Sequence, residues 1–318
     1  MSGSHRFYQA SHREKTAESK ATMAIFKFLV FAFLGFFLFL PNPSARSGAL
    51  LRPDPYAGIP QEVLVYEVRS NFSHIKIRDW GSQRTLYFVR DSGEEAVETS
   101  MDLRAPHLLQ VAYTRTMFAG LLLKPQQKNC LIVGLGGGAM VQFLNHFFPE
   151  IRVDAVEIDP VMVGIARDYF GTKPGPRARI FTEDAFDYLK RTTNRYDAIY
   201  MDAFLKPGDA TDLTGVPRNL KTVAFLKSLH GKLREGGAVV FNLNENMETQ
   251  ADIRSIQSAF PSVYIFGVSG SGNTVVVGSL ARSRVTGAEL RKRGEALDRK
   301  RNHGFSFRGL VDQLSGRL

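Results

Sequence analysis

The chain has 318 residues, 44% of them hydrophobic and 23% charged, with 28 Gly and 14 Pro. This composition can bury a core, and it excludes wholesale disorder, a collagen-like fibre and a multi-span membrane protein. The net charge of +10 gathers at the ends, residues 281–318 holding 10 Lys+Arg against 4 Asp+Glu while residues 23–280 are nearly balanced, which argues against a nucleic-acid partner.

The first 22 residues are polar, and after Lys27 an uncharged apolar run fills residues 28–40. That run is shorter than the ~20 residues of a spanning helix and fits the ~7–15 of a secretory h-region. Pro41 ends it ahead of Ala45-Arg46-Ser47, whose small first and third residues fit signal-peptidase cleavage before Gly48. Residues 1–47 therefore read as a signal peptide, with Met23 as the true start, or as a signal anchor through residues 24–40. Either reading exports the protein or anchors it in a membrane; it stays cytoplasmic if the leader over residues 23–47 is not used. A buried core helix is the weaker alternative, because a helix apolar on every face must be wrapped by the fold.

Residues 48–105 read as a small antiparallel β domain, with strands at Val63–Val68, Phe72–Ile77 and Thr85–Val89 broken by Ser70-Asn71 and Trp80-Gly81-Ser82. A helix is expected from after Pro106 to about Leu123. Residues 106–280 then alternate strands and helices, with short apolar strands at Leu131–Val133, Val153–Val156, Ala178–Phe181, Ala198–Met201 and Ala238–Phe241. That rhythm predicts an α/β, Rossmann-like parallel sheet covered on both faces. Val263–Val268 and Thr274–Gly278 are joined by a link too short for a parallel crossover, so they predict a closing antiparallel hairpin, the arrangement of class I methyltransferase-type folds. Residues 281–318, with Leu290, Leu297, Leu310 and Leu314 among the basic residues, read as a basic amphipathic helical tail.

Chemistry is concentrated at the carboxyl ends of these strands, where open α/β sheets bind ligands. The first strand enters Gly134-Leu135-Gly136-Gly137-Gly138-Ala139, where Gly134, Gly136 and Gly138 let the backbone approach a ligand or simply pack tightly. Glu157, at the end of the next strand, can accept both ribose hydroxyls of a nucleoside or be a solvated strand-end carboxylate. Asp159 reads as the N-cap of a helix starting at Pro160. Asp184, before Ala185, suits an adenine amine or a helix N-cap equally well. Asp202 ends the fourth strand and points to the same crevice, and Asn242-Leu243-Asn244-Glu245 adds polar groups at its edge. The seven His show no ligand-like spacing, so no metal is expected.

The ordered set Gly-rich turn, Val156-Glu157-Ile158-Asp159, Glu183-Asp184-Ala185, Tyr196 to Phe204, Gly236 to Leu243 and Gly272-Asn273-Thr274-Val275 resembles the spermidine synthase (polyamine aminopropyltransferase) family and its spermidine-synthase-like branch. Glu98 to Leu103 and Leu109 to Thr114 resemble that family's N-terminal domain and entry helix. The resemblance implies a transferase of polyamine biosynthesis. Its cosubstrate would be decarboxylated S-adenosylmethionine or S-adenosylmethionine, with Glu157 on the ribose, Asp184 and Ala185 near the adenine and Gly134, Gly136 and Gly138 beneath. It implies aminopropyl transfer to a small-molecule amine, with Asp202 as base and Tyr113 orienting the acceptor, and a homodimer. The departures lie in the acceptor half. Gly137 stands where the family carries an acid in the loop, Leu205-Lys206 where it carries Asp-Pro, Tyr113-Thr114-Arg115 where it has Tyr-His-Glu, and Thr99 where it has Gln. Asp209, Asp212 and Glu245 are then the remaining acids for a cationic acceptor, while Lys206 and Arg115 would suit an anionic one. Methyl transfer from S-adenosylmethionine and a non-catalytic nucleoside-binding module stay open as alternatives.

Overall fold

A computed structural model of the chain describes residues 61–315. The leader read at residues 1–47 and the beginning of the 48–105 stretch lie outside these residues. Among the described residues, no helix is long and apolar enough to cross a membrane.

Four strands, β1 (Glu62–Arg69), β2 (His74–Trp80), β3 (Gln83–Val89) and β4 (Glu95–Asp102), form an antiparallel sheet in the order of the chain. The first three match the sequence expectation. β4 was not anticipated, because Glu-Ala-Val-Glu-Thr-Ser-Met-Asp offers only weak apolar alternation. The inner face of this sheet, with Ile75, Ile77, Leu86 and Met101, packs on Met162, Ile165 and Phe170.

The helix expected from Pro106 is instead two short ones, α1 (Ala112–Met117) and α2 (Gly120–Leu123), preceded by a turn-rich segment. Beyond it lies a second sheet built from β5 (Asn129–Val133), β6 (Arg152–Glu157), β7 (Ala178–Thr182), β8 (Tyr196–Met201), β9 (Leu233–Asn244), β10 (Ser262–Gly267), β11 (Asn273–Ser279) and β12 (Leu314–Ser315). The spatial order is β12-β10-β11-β9-β8-β5-β6-β7, parallel from β9 to β7, with β11 antiparallel to both β9 and β10. This is the Rossmann-like methyltransferase-type sheet with its closing hairpin.

The connecting helices are α3 (Ala139–Phe147), α4 (Pro160–Asp168), α5 (Ala185–Arg191), α6 (Val223–Ser228) and α7 (Thr249–Ala259), followed by the tail helices α8 (Gly287–Lys300) and α9 (Phe307–Val311). Strand periodicity sorts the core into two layers. Cys130 and Ile132, Ala198 and Tyr200, and Ala238 and Val240 face the layer of α3, α8 and α9. The intervening Leu131 and Val133, Ile199 and Met201, and Val239 and Phe241 face α5, α6 and α7. Both faces are covered, which is why the middles of these strands are apolar on both sides. In the tail, Leu290, Leu297 and Leu310 are buried as the helical reading requires, but Leu314 lies on β12, paired with Phe266 of β10.

Candidate functional site

β5 ends at Val133, and the chain crosses the carboxyl edge of the sheet through the Gly-rich turn into α3. Gly134 has φ +92°, and a Cβ there would sit 2.1 Å from the Asp202 carbonyl oxygen, so only glycine lets the turn lie against the end of β8. Gly137 is held from both sides: its N–H donates to Thr99 Oγ1 at 2.9 Å and its carbonyl accepts from the Thr172 hydroxyl at 2.8 Å. A Cβ at Gly137 would meet Thr99 at 2.7 Å and Phe170 at 2.9 Å. The turn therefore has no room for a side chain at that position.

Glu157, at the end of β6, is oriented by two backbone donors, Leu135 N–H to Oε2 at 2.9 Å and Asp159 N–H to Oε1 at 3.0 Å. Burial pushes its carboxyl above the usual range, and those two amides oppose the shift. Each oxygen keeps a further acceptor position for a ligand hydroxyl. Asp159 is the N-cap anticipated for α4, with Oδ1 accepting from Val161 N–H at 2.9 Å. Asp184 is also an N-cap, accepting from Phe186 N–H at 2.6 Å at the start of α5.

Asp202, just past β8, accepts from the Asn242 side-chain amide at 2.9 Å through Oδ1 and has the Tyr113 hydroxyl 3.4 Å from Oδ2. Asn242 is itself held by the Asn273 amide at 2.9 Å. Burial raises the Asp202 carboxyl to about 6, and the bonds from Asn242 and Tyr113 restrain the rise. Burial, with the Asp202 carboxylate next in weight, also pushes the Tyr113 phenol well up, so it is a neutral donor.

One cavity, about 460 Å³, is lined by Gly134, Gly136, Glu157, Asp184, Ala185 and Asp202 together with apolar Phe72, Phe88, Met162 and Leu220. Six of the residues singled out from sequence thus share one wall. Gly138 does not line it; it starts α3 as an αL cap packed on Thr172. A second cavity, about 560 Å³, contains Tyr113, Asn242, Asn244, Glu245, Lys206, His74 and Arg90. Glu98, Phe88, Phe204 and Leu205 line both.

Glu98 went unassigned in the sequence because its strand did. It is half-buried, and no described residue donates a hydrogen bond to its carboxyl. Burial, then the nearby Asp202 and Glu157 carboxylates, raise it to about 8, against a small pull from Arg90. Of the other acids named from sequence, Asp209 lines the first cavity and Glu245 the second. Asp212 is a correction: it is buried against Lys221 Nζ at 2.7 Å and the N–H groups of Thr214 and Val216, and lines neither cavity. Arg115 is another, since its guanidinium ties down the Leu109 and Gln110 carbonyls and lines neither cavity. Lys206 does line the second cavity, with its ammonium 2.8 Å from Asp91.

Comparison with known proteins adds four likenesses. The spermine/spermidine synthase domain family matches residues 111–269. A polyamine aminopropyltransferase of Vibrio vulnificus is 31% identical over 244 residues, covering 75% of this chain and 79% of its own. Among solved structures, human methyltransferase-like protein 13 in complex with SAH superposes with a TM-score of 0.55 at 24% identity, over 65% of this chain and 96% of its own. A spermidine synthase in complex with the transition-state analogue AdoDATO does so with a TM-score of 0.55 at 19% identity, over 69% and 74%.

Proposed function

The chain belongs to the spermine/spermidine synthase family and is a transferase, and from that premise we propose that it moves an aminopropyl group from a decarboxylated S-adenosylmethionine-type donor to a small-molecule amine. One observation carries the reading: Asp202 lines the nucleoside-sized cavity and is held by Tyr113 and Asn242, which line the neighbouring one. A carboxylate at that junction is within reach of both a reacting carbon and an attacking nitrogen.

The residues of the first cavity suit a nucleoside. Glu157 offers two fixed acceptors for vicinal hydroxyls, the Gly-rich turn admits close approach of a ribose, and Phe72, Phe88 and Met162 supply apolar surface for a base. Asp184 keeps one oxygen free of its cap for an exocyclic amine. That relatives were solved with SAH and with AdoDATO supports a cosubstrate of this class. Bound there, the donor supplies a carbon activated by an adjacent sulfonium. The new C–N bond forms as the C–S bond breaks, and the acceptor nitrogen must shed a proton. An alkylammonium at a pKa of ~10.4 does not do so unaided at neutral pH, and Asp202, at about 6, is the acceptor placed for it. Tyr113, kept neutral, and Asn242 hold that carboxylate in place.

Methyl transfer is the second reading, and one observation favours it. The turn at Gly137 is filled by Thr99 and Phe170, so no acid can stand there to take the amino group of an aminopropyl donor. Calorimetry and product analysis with both donors separate the two. Tighter binding and turnover of decarboxylated S-adenosylmethionine uphold aminopropyl transfer, whereas preference for S-adenosylmethionine with a methylated product replaces it.

A further inference from the structure

The second cavity holds its charges unevenly. Each basic group in its wall already has a carboxylate partner: His74 has Glu67 at 2.7 Å, Lys206 has Asp91 at 2.8 Å and Arg90 has Glu94 at 3.9 Å. The two acids in the same wall have no cationic partner among the described residues. Glu245 receives only the Thr274 hydroxyl, at 3.3 Å. Glu98 receives nothing through its side chain, although it is half-buried where the two cavities meet. A desolvated carboxyl without a donor is costly to keep ionised, and a cation brought to it removes that cost.

We propose that Glu98 and Glu245 form the charge-reading wall of the acceptor site, Glu98 pairing with the ammonium nearest the reacting centre and Glu245 with a more distant one. The inference rests on the transferase reading and deepens it. It selects a dication over an anionic acceptor and assigns the selection to residues outside the Gly-rich turn and outside the stretch that follows Asp202.

Proton linkage follows. The groups facing Glu98 are Asp202 beyond β8, Glu157 of β6, Arg90 after β3 and Tyr113 of α1, and the two carboxylates outweigh Arg90 in holding its proton on. With Glu98 at about 8, the free site is mostly protonated at pH 7, so a cation must displace close to one proton to bind. Affinity should rise roughly tenfold per pH unit between about 6.5 and 7.5 and level off above 8.

The test is calorimetric titration of the full chain with 1,4-diaminobutane at pH 7, in buffers of different ionisation enthalpy, with and without saturating methylthioadenosine. Wild type should release most of one proton per diamine bound. Glu98→Gln should bind at least tenfold more weakly with no proton release, and Glu245→Gln should weaken binding with the release intact. Wild-type far-ultraviolet circular dichroism and a cooperative thermal transition in both variants would show that they fold. Wild-type affinity and proton release persisting in Glu98→Gln would overturn the inference. A wild type that binds methylthioadenosine but no diamine would also overturn it, while leaving the nucleoside reading standing. Glu98-dependent diamine binding without nucleoside binding would support the inference and sink the reading of the first cavity.

Discussion

Asp202 and Glu98 are both carboxyls whose folded form holds its proton to higher pH than the unfolded chain, and the sign of the consequence is the same for each. As pH rises past about 4.5, the unfolded chain gives up these protons first, so stability falls with pH until the folded groups also ionise. Glu98→Gln should therefore melt at higher temperature than wild type at pH 8, and the gain should vanish toward pH 4, as calorimetric melting in a pH series would show. In the active protein, turnover should fall below pH ~6 as Asp202 protonates. Asp202→Asn should lose about 10²–10⁴ in kcat while nucleoside affinity stays within a few-fold, read by steady-state kinetics beside calorimetry. Gly134→Ala should be severe, because both its φ of +92° and the 2.1 Å approach to Asp202 exclude a Cβ; we expect a loss of ~1–3 kcal/mol in denaturant unfolding. Most of these residues were legible in the sequence, because strand-end carboxylates follow the α/β rule that ligands bind at carboxyl edges. Glu98 was not, since nothing local marks a glutamate whose environment is assembled from four other segments.

At the scale of elements, what the sequence reveals depends on how much of the signal is local. β5, β6, β8 and β9 are apolar on both faces and were readable from composition alone, and the short link between β10 and β11 forced their antiparallel pairing. β4 and β12 were missed because tertiary pairing, not apolar alternation, makes them strands. The α1 boundary was misplaced since Val111 offers no side-chain cap and the preceding residues turn. Asp184 shows why a cap and a ligand contact are hard to tell apart from sequence: it is the N-cap of α5 and also lines the first cavity. Serine caps as well as aspartate but carries no carboxylate. Asp184→Ser should therefore keep the wild-type melting temperature and lose roughly tenfold in nucleoside affinity. Asp184→Ala should add a stability loss of ~1 kcal/mol.

At the scale of the molecule, the tail is part of the main core rather than an appendage. Leu290, Leu297, Phe307, Leu310 and Val311 sit in the same cluster as Phe143 and Tyr200. At ~1.5–3 kcal/mol for each large apolar side chain buried, their removal rivals the ~5–15 kcal/mol net stability of a whole domain. Truncation after residue 280 should thus abolish cooperative unfolding as followed by circular dichroism. A different vulnerability follows from the strand that supplies Thr99 and Glu98. β4 belongs to the small sheet, while Glu157 and Asp202 are carried by the large one, so the site is a seam between two sheets rather than a pocket within either. A seam can part before the cloth on either side frays: modest heating that loosens the small sheet's grip on Met162, Ile165 and Phe170 would unlatch the Gly137 turn and withdraw Glu98 together, leaving a molecule with its helices intact and its two cavities open.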